Sequence, residues 1–404
     1  YDAAVDARFG LRDARLDGAP LPAPTRAFAR ATLGAALGSL GYFYGARIVA
    51  PGPHAPAGTA PTRDATPSAL FALVPSRSFF PRGFLWDDGF HQLLLGTWSP
   101  EIADDVLCHW LGTMDADGWI AREQILGAEA ESRVPPEFVP QHAHHANPPA
   151  LLLRLDRRLD AAAAAAAHAS TADDDHDDDA ADAERARLTE LGGRIFAPLR
   201  RWYEWLVRTQ AGSRPGTYRW RGRDAHDRRL NALTLASGLD DYPRASTPTD
   251  NERHVDLHCW IALFSRVLGR LAALLDDDAA PEAYAAEHAA QLASLDERHW
   301  HAKAGYYADW GLHANRGEFV AHVVVKCAAS AKPDAPAIEH AVRDARRPSC
   351  PSSHPHYLFP LGDSRGGLLT REVLVPRGMR EQWVEHAGYV SLFPLALRLL
   401  SPDS

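Results

Sequence analysis

Apolar residues recur along most of this chain at the spacing of helix faces. Phe196, Leu199, Trp202 (or its neighbour Tyr203) and Leu206 follow one stripe, and "ALFSRVLGRLAALL" (262–275) repeats it. "RATLGAALGSLGYFYG" (30–45) resembles a helix of small residues packed closely on a neighbour. Strand-like alternation is scarce, and "GEFVAHVVVK" (317–326) is its best example. Long loops rich in Trp, Gly and Pro separate the helical stretches. This pattern predicts an all-α fold: an α/α toroid of helix hairpins, with few short strands and an active site built by long loops at one end.

Two segments break the pattern without marking a domain boundary. Residues 160–182 are low-complexity, an Ala run followed by the Asp-rich "DDDHDDD". Self-repelling charge makes this a solvated insert, because the run lacks the Gly turn and ligand spacing of a metal loop. Residues 331–355, rich in Pro, Ser and His, read as an irregular loop. The chain is thus expected to form one partial catalytic domain over 1–404.

Composition narrows the function. With 404 residues, 46% hydrophobic and 24% charged, the chain can bury a large core. A formal net charge of −9 argues against a nucleic-acid partner. Its 11 Trp residues suit pockets for sugar rings. Cys108, Cys259, Cys327 and Cys350 show no C-x-x-C spacing, so neither a zinc site nor a disulfide framework is expected, and Cys108 and Cys259 read as core residues. The apolar runs are too short to span a bilayer, and no signal peptide is evident. The chain opens on Tyr1 and is expected to be an internal piece of a longer protein.

Several constellations carry candidate chemistry. In "SRSFFPRGFLWDDGFHQ" (76–92), Asp87 or Asp88 suits a helix cap, while Arg82, Trp86 and an Asp suit a sugar platform. "DGWIAREQILGAEAE" (117–131) sets Trp119 and Ile120 beside Arg122, Glu123 and Gln124, as on a cleft wall or a surface helix. "QHAHHANPP" (141–149) invites zinc through His142, His144 and His145, but a helix-entry loop is the favoured reading without a partner at ligand spacing. Projected as a helix, 251–271 aligns Glu252, Asp256, Trp260, Leu263, Val267 and Leu271 on one face. Its two carboxylates need cations or a polar cavity, unless the stripe emerges into solvent at the helix start. Around "YRWRGRD" (218–224) and "SGLDDYPRAS" (237–246), Arg219, Arg221, Arg223 and Arg244 supply cations beside Trp220. Pro243 keeps Asp240 and Asp241 in a loop, where a desolvated carboxyl could remain protonated as a general acid.

These blocks, with "VPPEFV", "HANPPALLL", "ERHVDLHCW" and "GYVSLFPLALRLL", together resemble the processing α-glucosidases I (mannosyl-oligosaccharide glucosidases) of glycoside hydrolase family 63, from about Gly41 to the C-terminus. The resemblance implies an (α/α)6 toroid and inverting, metal-free removal of the terminal α-1,2-linked glucose from the triglucosylated N-glycan precursor. It implies the lumen of the endoplasmic reticulum and no cofactor. It makes Asp240 the general acid. It places Arg82, Trp86, Asp87, Trp119, Arg122 and Glu123 around the terminal glucose, with Glu252 and Asp256 in a substrate-binding segment. Asp88, Trp220, Arg221 and Arg244 complete the expected binding set, and Asp88 stands where Glu is common. The family's general base, a Glu in a Phe-Leu-Trp-Glu-Gln segment, is absent and expected beyond Ser404. Glu381 and Glu385 gain no such role from the pattern. The family's N-terminal β-rich domain and membrane anchor are absent too. The incomplete barrel is therefore expected to be inactive alone, and a catalytically silent carbohydrate-binding toroid is the alternative.

Overall fold

The computed structural model describes the chain except residues 57, 65, 170–178, 224–233, 333–334, 344–348, 352, 363–365 and 401–404. The Asp-rich run thus lies outside the described residues up to 178. Among those described are ten α-helices: α1 Asp2–Arg8, α2 Ala23–Leu37, α3 Leu85–Trp98, α4 Pro100–Gly112, α5 Gly127–Glu131, α6 Leu152–Ala169, α7 Asp179–Thr209, α8 Val255–Leu274, α9 Ala280–His299 and α10 Phe393–Ala396.

The core is organised around α8. Its face of Trp260, Leu263, Val267 and Leu271 is buried, as the periodicity predicts, and so is nearly every other residue along it. It packs against α9, α7, α6 and α10. Leu199, Trp202, Tyr203 and Leu206 of α7 join the same cluster. Contrary to the reading of short apolar runs, α8 has the length and composition of a membrane span, with 20 residues at a mean hydropathy of 1.3. Since 78% of that window is buried by neighbouring elements, it is placed as a core helix. Close helix packing also depends on Gly89. A Cβ there would meet the backbone of Ala150 at 2.3 Å, so only glycine lets α3 lie this near the entry to α6.

Several expectations are corrected. The segment 30–45 is not one helix, because α2 stops at Leu37 and Leu40–Gly45 becomes a strand paired antiparallel with Ser68–Leu73. The aromatic run "YFY" prefers the pleated pairing. Glu252 does not share the α8 stripe, since the helix starts at Val255 while Arg253 bridges to Trp310 in extended backbone.

Strand content also exceeds the few strands expected. There are sixteen among the described residues, and Arg316–Ala328 centres a four-stranded antiparallel sheet with Ala337–Val342, His356–Pro360 and Thr370–Arg377. The strand Ala337–Val342 falls inside the stretch read as an irregular loop, where prolines and serines mask its alternation.

This sheet carries a disulfide that the spacing of the cysteines did not reveal. Cys327, on the central strand, and Cys350, in the connection that follows Ala337–Val342, are joined across 23 residues with their Cα atoms 5.9 Å apart. Cys259 is buried and free, as expected, and Cys108 is partly buried. Replacing both Cys327 and Cys350 by Ser should lower stability by about 3 kcal/mol through loop entropy, read as a shift in denaturant midpoint.

Candidate active site

A two-residue pairing assembles the first wall of the site. Gly83–Phe84 pairs with Glu123–Gln124, and α3 starts directly afterwards. This register sets Arg82 beside Glu123. Arg82 donates through Nε and Nη2 to Glu123 Oε2 at 2.9 and 2.7 Å. Arg122 donates through Nη1 to Glu123 Oε1 at 3.2 Å and through Nη2 to Asp240 Oδ2 at 3.3 Å. Both guanidiniums lie over the Phe84 ring, with centroid distances of 4.8 and 5.9 Å. Four alternating charges thus run Arg82, Glu123, Arg122, Asp240 across an aromatic floor.

The second wall is a turn. A short 3-10 helix, Leu235–Ser237, ends at Gly238 in the left-handed region (φ +75°). A Cβ at Gly238 would stand 2.8 Å from the Trp86 ring, so glycine serves both the turn and the contact. Trp86 is held edge-to-face by Phe90 and Trp260. Asn147 ties the two walls together. Its Oδ1 accepts from Trp86 N–H at 3.0 Å and its Nδ2 donates to Ala236 O at 3.1 Å. Asn147→Ala would leave both backbone groups without that partner and should cost about 1–3 kcal/mol of stability in chemical unfolding.

Asp240 leaves this turn half-buried, while Asp241 is exposed. Burial pushes the Asp240 carboxyl above its ordinary range; Arg122 pulls it down, and the charges of Asp241, Asp87 and Glu123 push it up again. The net shift is upward. Its Oδ1 is buried without a hydrogen-bond partner among the described residues. A carboxyl with this bias and one unengaged oxygen is equipped to donate a proton. Asp87, also half-buried, is shifted upward mainly by burial.

Two openings flank this acid. One, of about 300 Å³, is lined by Trp119, Arg122, Glu123, Gln141 and His145. Trp119 is fixed there by its Nε1 bond to His145 O and by the Arg47 guanidinium over its ring. The other, of about 520 Å³, is lined by Leu239, Asp240, Asp241, Pro243, Tyr389 and Leu392.

The remaining expected binding residues do not line either of these two openings. Asp88 is fully buried beneath α3. It accepts from Trp110 Nε1 at 2.6 Å and contacts His91 Nδ1 at 3.3 Å, so it anchors the helix rather than facing an opening. Arg221 turns to the carbonyls of Thr209 and Ala211. Arg244 is buried and clamped between Asp256 and Asp309, and Trp220 donates to Asp256 Oδ2 at 3.1 Å. Glu252 is buried against Arg223. Arg223 also lines the smaller opening, so this pair underlies the site without exposing its carboxylate.

Sequence reasoning did not single out Asn147 or Asp309. Asn147 stood in the quoted "HANPP", where a polar residue ahead of two prolines is a usable signal. Asp309 offered none, because its partners are far along the chain. His142, His144 and His145, set aside as ligands, are brought together here with ligand atoms within 4.8 Å of one another.

Comparison with known proteins matches the chain to a family. The model of the glycosyl hydrolase family 63 C-terminal domain matches residues 2–350. The chain belongs to glycoside hydrolase family 63. It is 35% identical over 382 residues to mannosyl-oligosaccharide glucosidase GCS1 of Arabidopsis thaliana, covering 91% of this chain and 38% of that protein. It is 33% identical to Alpha-glucosidase 2 of Arabidopsis thaliana, covering 100% of this chain and 45% of that one. With the probable mannosyl-oligosaccharide glucosidase of Schizosaccharomyces pombe it shares 37% identity, over 60% of this chain and 32% of that protein. The chain thus spans less than half the length of these relatives.

Proposed function

We propose that this chain forms part of the catalytic domain of an inverting exo-α-glucosidase. Its substrate would be the triglucosylated N-glycan precursor, from which it removes the terminal α-1,2-linked glucose. The observation that carries the proposal is Asp240: a half-buried carboxyl biased toward its protonated form, with one oxygen unengaged and the other against Arg122. The names of the relatives, mannosyl-oligosaccharide glucosidases, support the substrate class. In this reading Asp240 protonates the glycosidic oxygen. Trp86, Asp87, Trp119, Arg122 and Glu123 hold the terminal glucose. Arg82 braces Glu123, and the buried pairs of Arg244 with Asp256 and Arg223 with Glu252 stiffen the floor below.

Inversion needs a second carboxylate to activate water, about 6.5–9.5 Å from the acid. We assign that base to sequence beyond Ser404. The helices described here would then be part of an (α/α)6 toroid, and residues 1–404 alone would be inactive. The Cys327–Cys350 disulfide suits the lumen of the endoplasmic reticulum, where such bonds persist. A membrane anchor would belong to sequence before Tyr1.

The test is the anomer first released by the full-length protein from an α-1,2-glucosyl oligosaccharide, followed by proton NMR. β-Glucose is expected. α-Glucose first would overturn inversion, and no release would overturn the substrate.

A further inference from the structure

The three histidines at the smaller opening take no part in the chain of charges ending at Asp240. His142 and His145 stack with ring centroids 4.6 Å apart, and His144 stands edge-on to His145 at 4.3 Å. One ligand atom from each ring lies within 4.8 Å of the others. His142 and His145 line the opening, which gives a path from solvent.

Their backbone is held by groups from outside the loop. His145 O accepts from Trp119 Nε1 at 3.0 Å, and His144 O accepts from Gln210 Nε2 at 3.0 Å. Within the loop, His145 N–H donates to His142 O at 2.9 Å and closes a turn. Gly222 keeps the far side of the His145 ring clear, since a Cβ there would come within 3.2 Å of it. The loop is therefore a preformed bracket whose rings retain only side-chain rotation.

We propose that His142, His144 and His145 form a site for a divalent transition-metal ion of the zinc or nickel(II) class, with its open coordination position toward the cavity. Imidazole is a preferred ligand of these ions, and three protein nitrogens with one open position is a common zinc arrangement. Zinc–nitrogen bonds of about 2.0–2.1 Å place tetrahedral ligand atoms about 3.4 Å apart, so the rings need only rotate inward by an ångström or so. Glu137 lines the same cavity, and the open position would take water or a carboxylate oxygen.

The test is calorimetric titration of chelator-treated full-length protein with zinc chloride and with nickel chloride. A saturable site of one equivalent is expected, and it should be lost in His142→Ala and in His144→Ala. Circular dichroism and melting temperature should stay unchanged, since the backbone holds the loop. Cobalt(II) loaded into the same site should give the intense visible absorption of a low-symmetry nitrogen site, absent from both variants. No saturable binding in the starting protein would overturn the proposal, as would equal affinity in the variants, which would locate the ion elsewhere.

Discussion

Asparagine at position 240 is expected to reduce glucose release by the full-length protein about 10³-fold, with stability within about 1 kcal/mol of the parent. The large kinetic effect is what the proposed role of Asp240 as proton donor requires. The small stability effect follows from a side chain that is 42% exposed and whose one ion pair among the described residues, to Arg122, is long. The pH profile supplies a second readout. Only the protonated carboxyl donates, so activity should fall as pH rises through a value above the usual carboxylate range. Asp241→Asn removes one of the charges pushing Asp240 up and should move that limb to lower pH, with turnover below it nearly unchanged. Near-normal turnover in Asp240→Asn would remove this residue from the reaction.

Arg244→Met is expected to destabilise the fold by about 3–5 kcal/mol, measured by denaturant unfolding. The substitution strands two carboxylates in the core. Asp256 accepts from Arg244 at 3.0 and 2.6 Å, Asp309 accepts at 2.8 Å, and all three side chains are essentially shut from water. Size alone does not set this cost, because methionine fills much of the same volume. Asp250→Asn breaks an ion pair to Arg219 of similar length, but Asp250 is 79% exposed and the change should stay within about 1 kcal/mol. Burial would push Asp256 up, yet the Arg244 charge and hydrogen bonds outweigh it and hold the carboxyl below its ordinary range. A depressed folded value stabilises above the unfolded value of about 3.9 and is lost as acidification passes the folded value. The parent should therefore weaken in strong acid more steeply than Arg244→Met does.

Periodicity located the core well because α8 and α7 repeat their apolar faces over many turns. The strands escaped because most are two to six residues long and gain their partners from distant sequence, as Leu40–Gly45 does from Ser68–Leu73. At the site, resemblance chose Asp240 over Asp241, and the environments of the two residues agree in separating them, one half-buried and one exposed. Burial was the illegible quantity. Asp87 and Asp88 are neighbours in sequence, yet only Asp87 is left partly open, because one helical step turns Asp88 onto Trp110. Nothing in the residue types distinguishes a carboxylate that faces a cleft from one that anchors a helix.

Gly238 and Trp86 occupy space that only one arrangement fills, which makes their mutational effects interdependent. Gly238→Ala should lose stability in two parts: a backbone share from φ +75°, and a steric share from the indole 2.8 Å away. Trp86→Phe removes ring area and should relieve the steric share alone. The double variant is then expected to be more stable than the sum of the single losses predicts, by about 0.5–3 kcal/mol in a thermodynamic cycle. A sequence carrying a smaller ring at 86 could drift away from glycine at 238, whereas one with tryptophan could not. The turn bearing Asp240 and the aromatic wall facing it would then change as a pair through substitution, not one at a time.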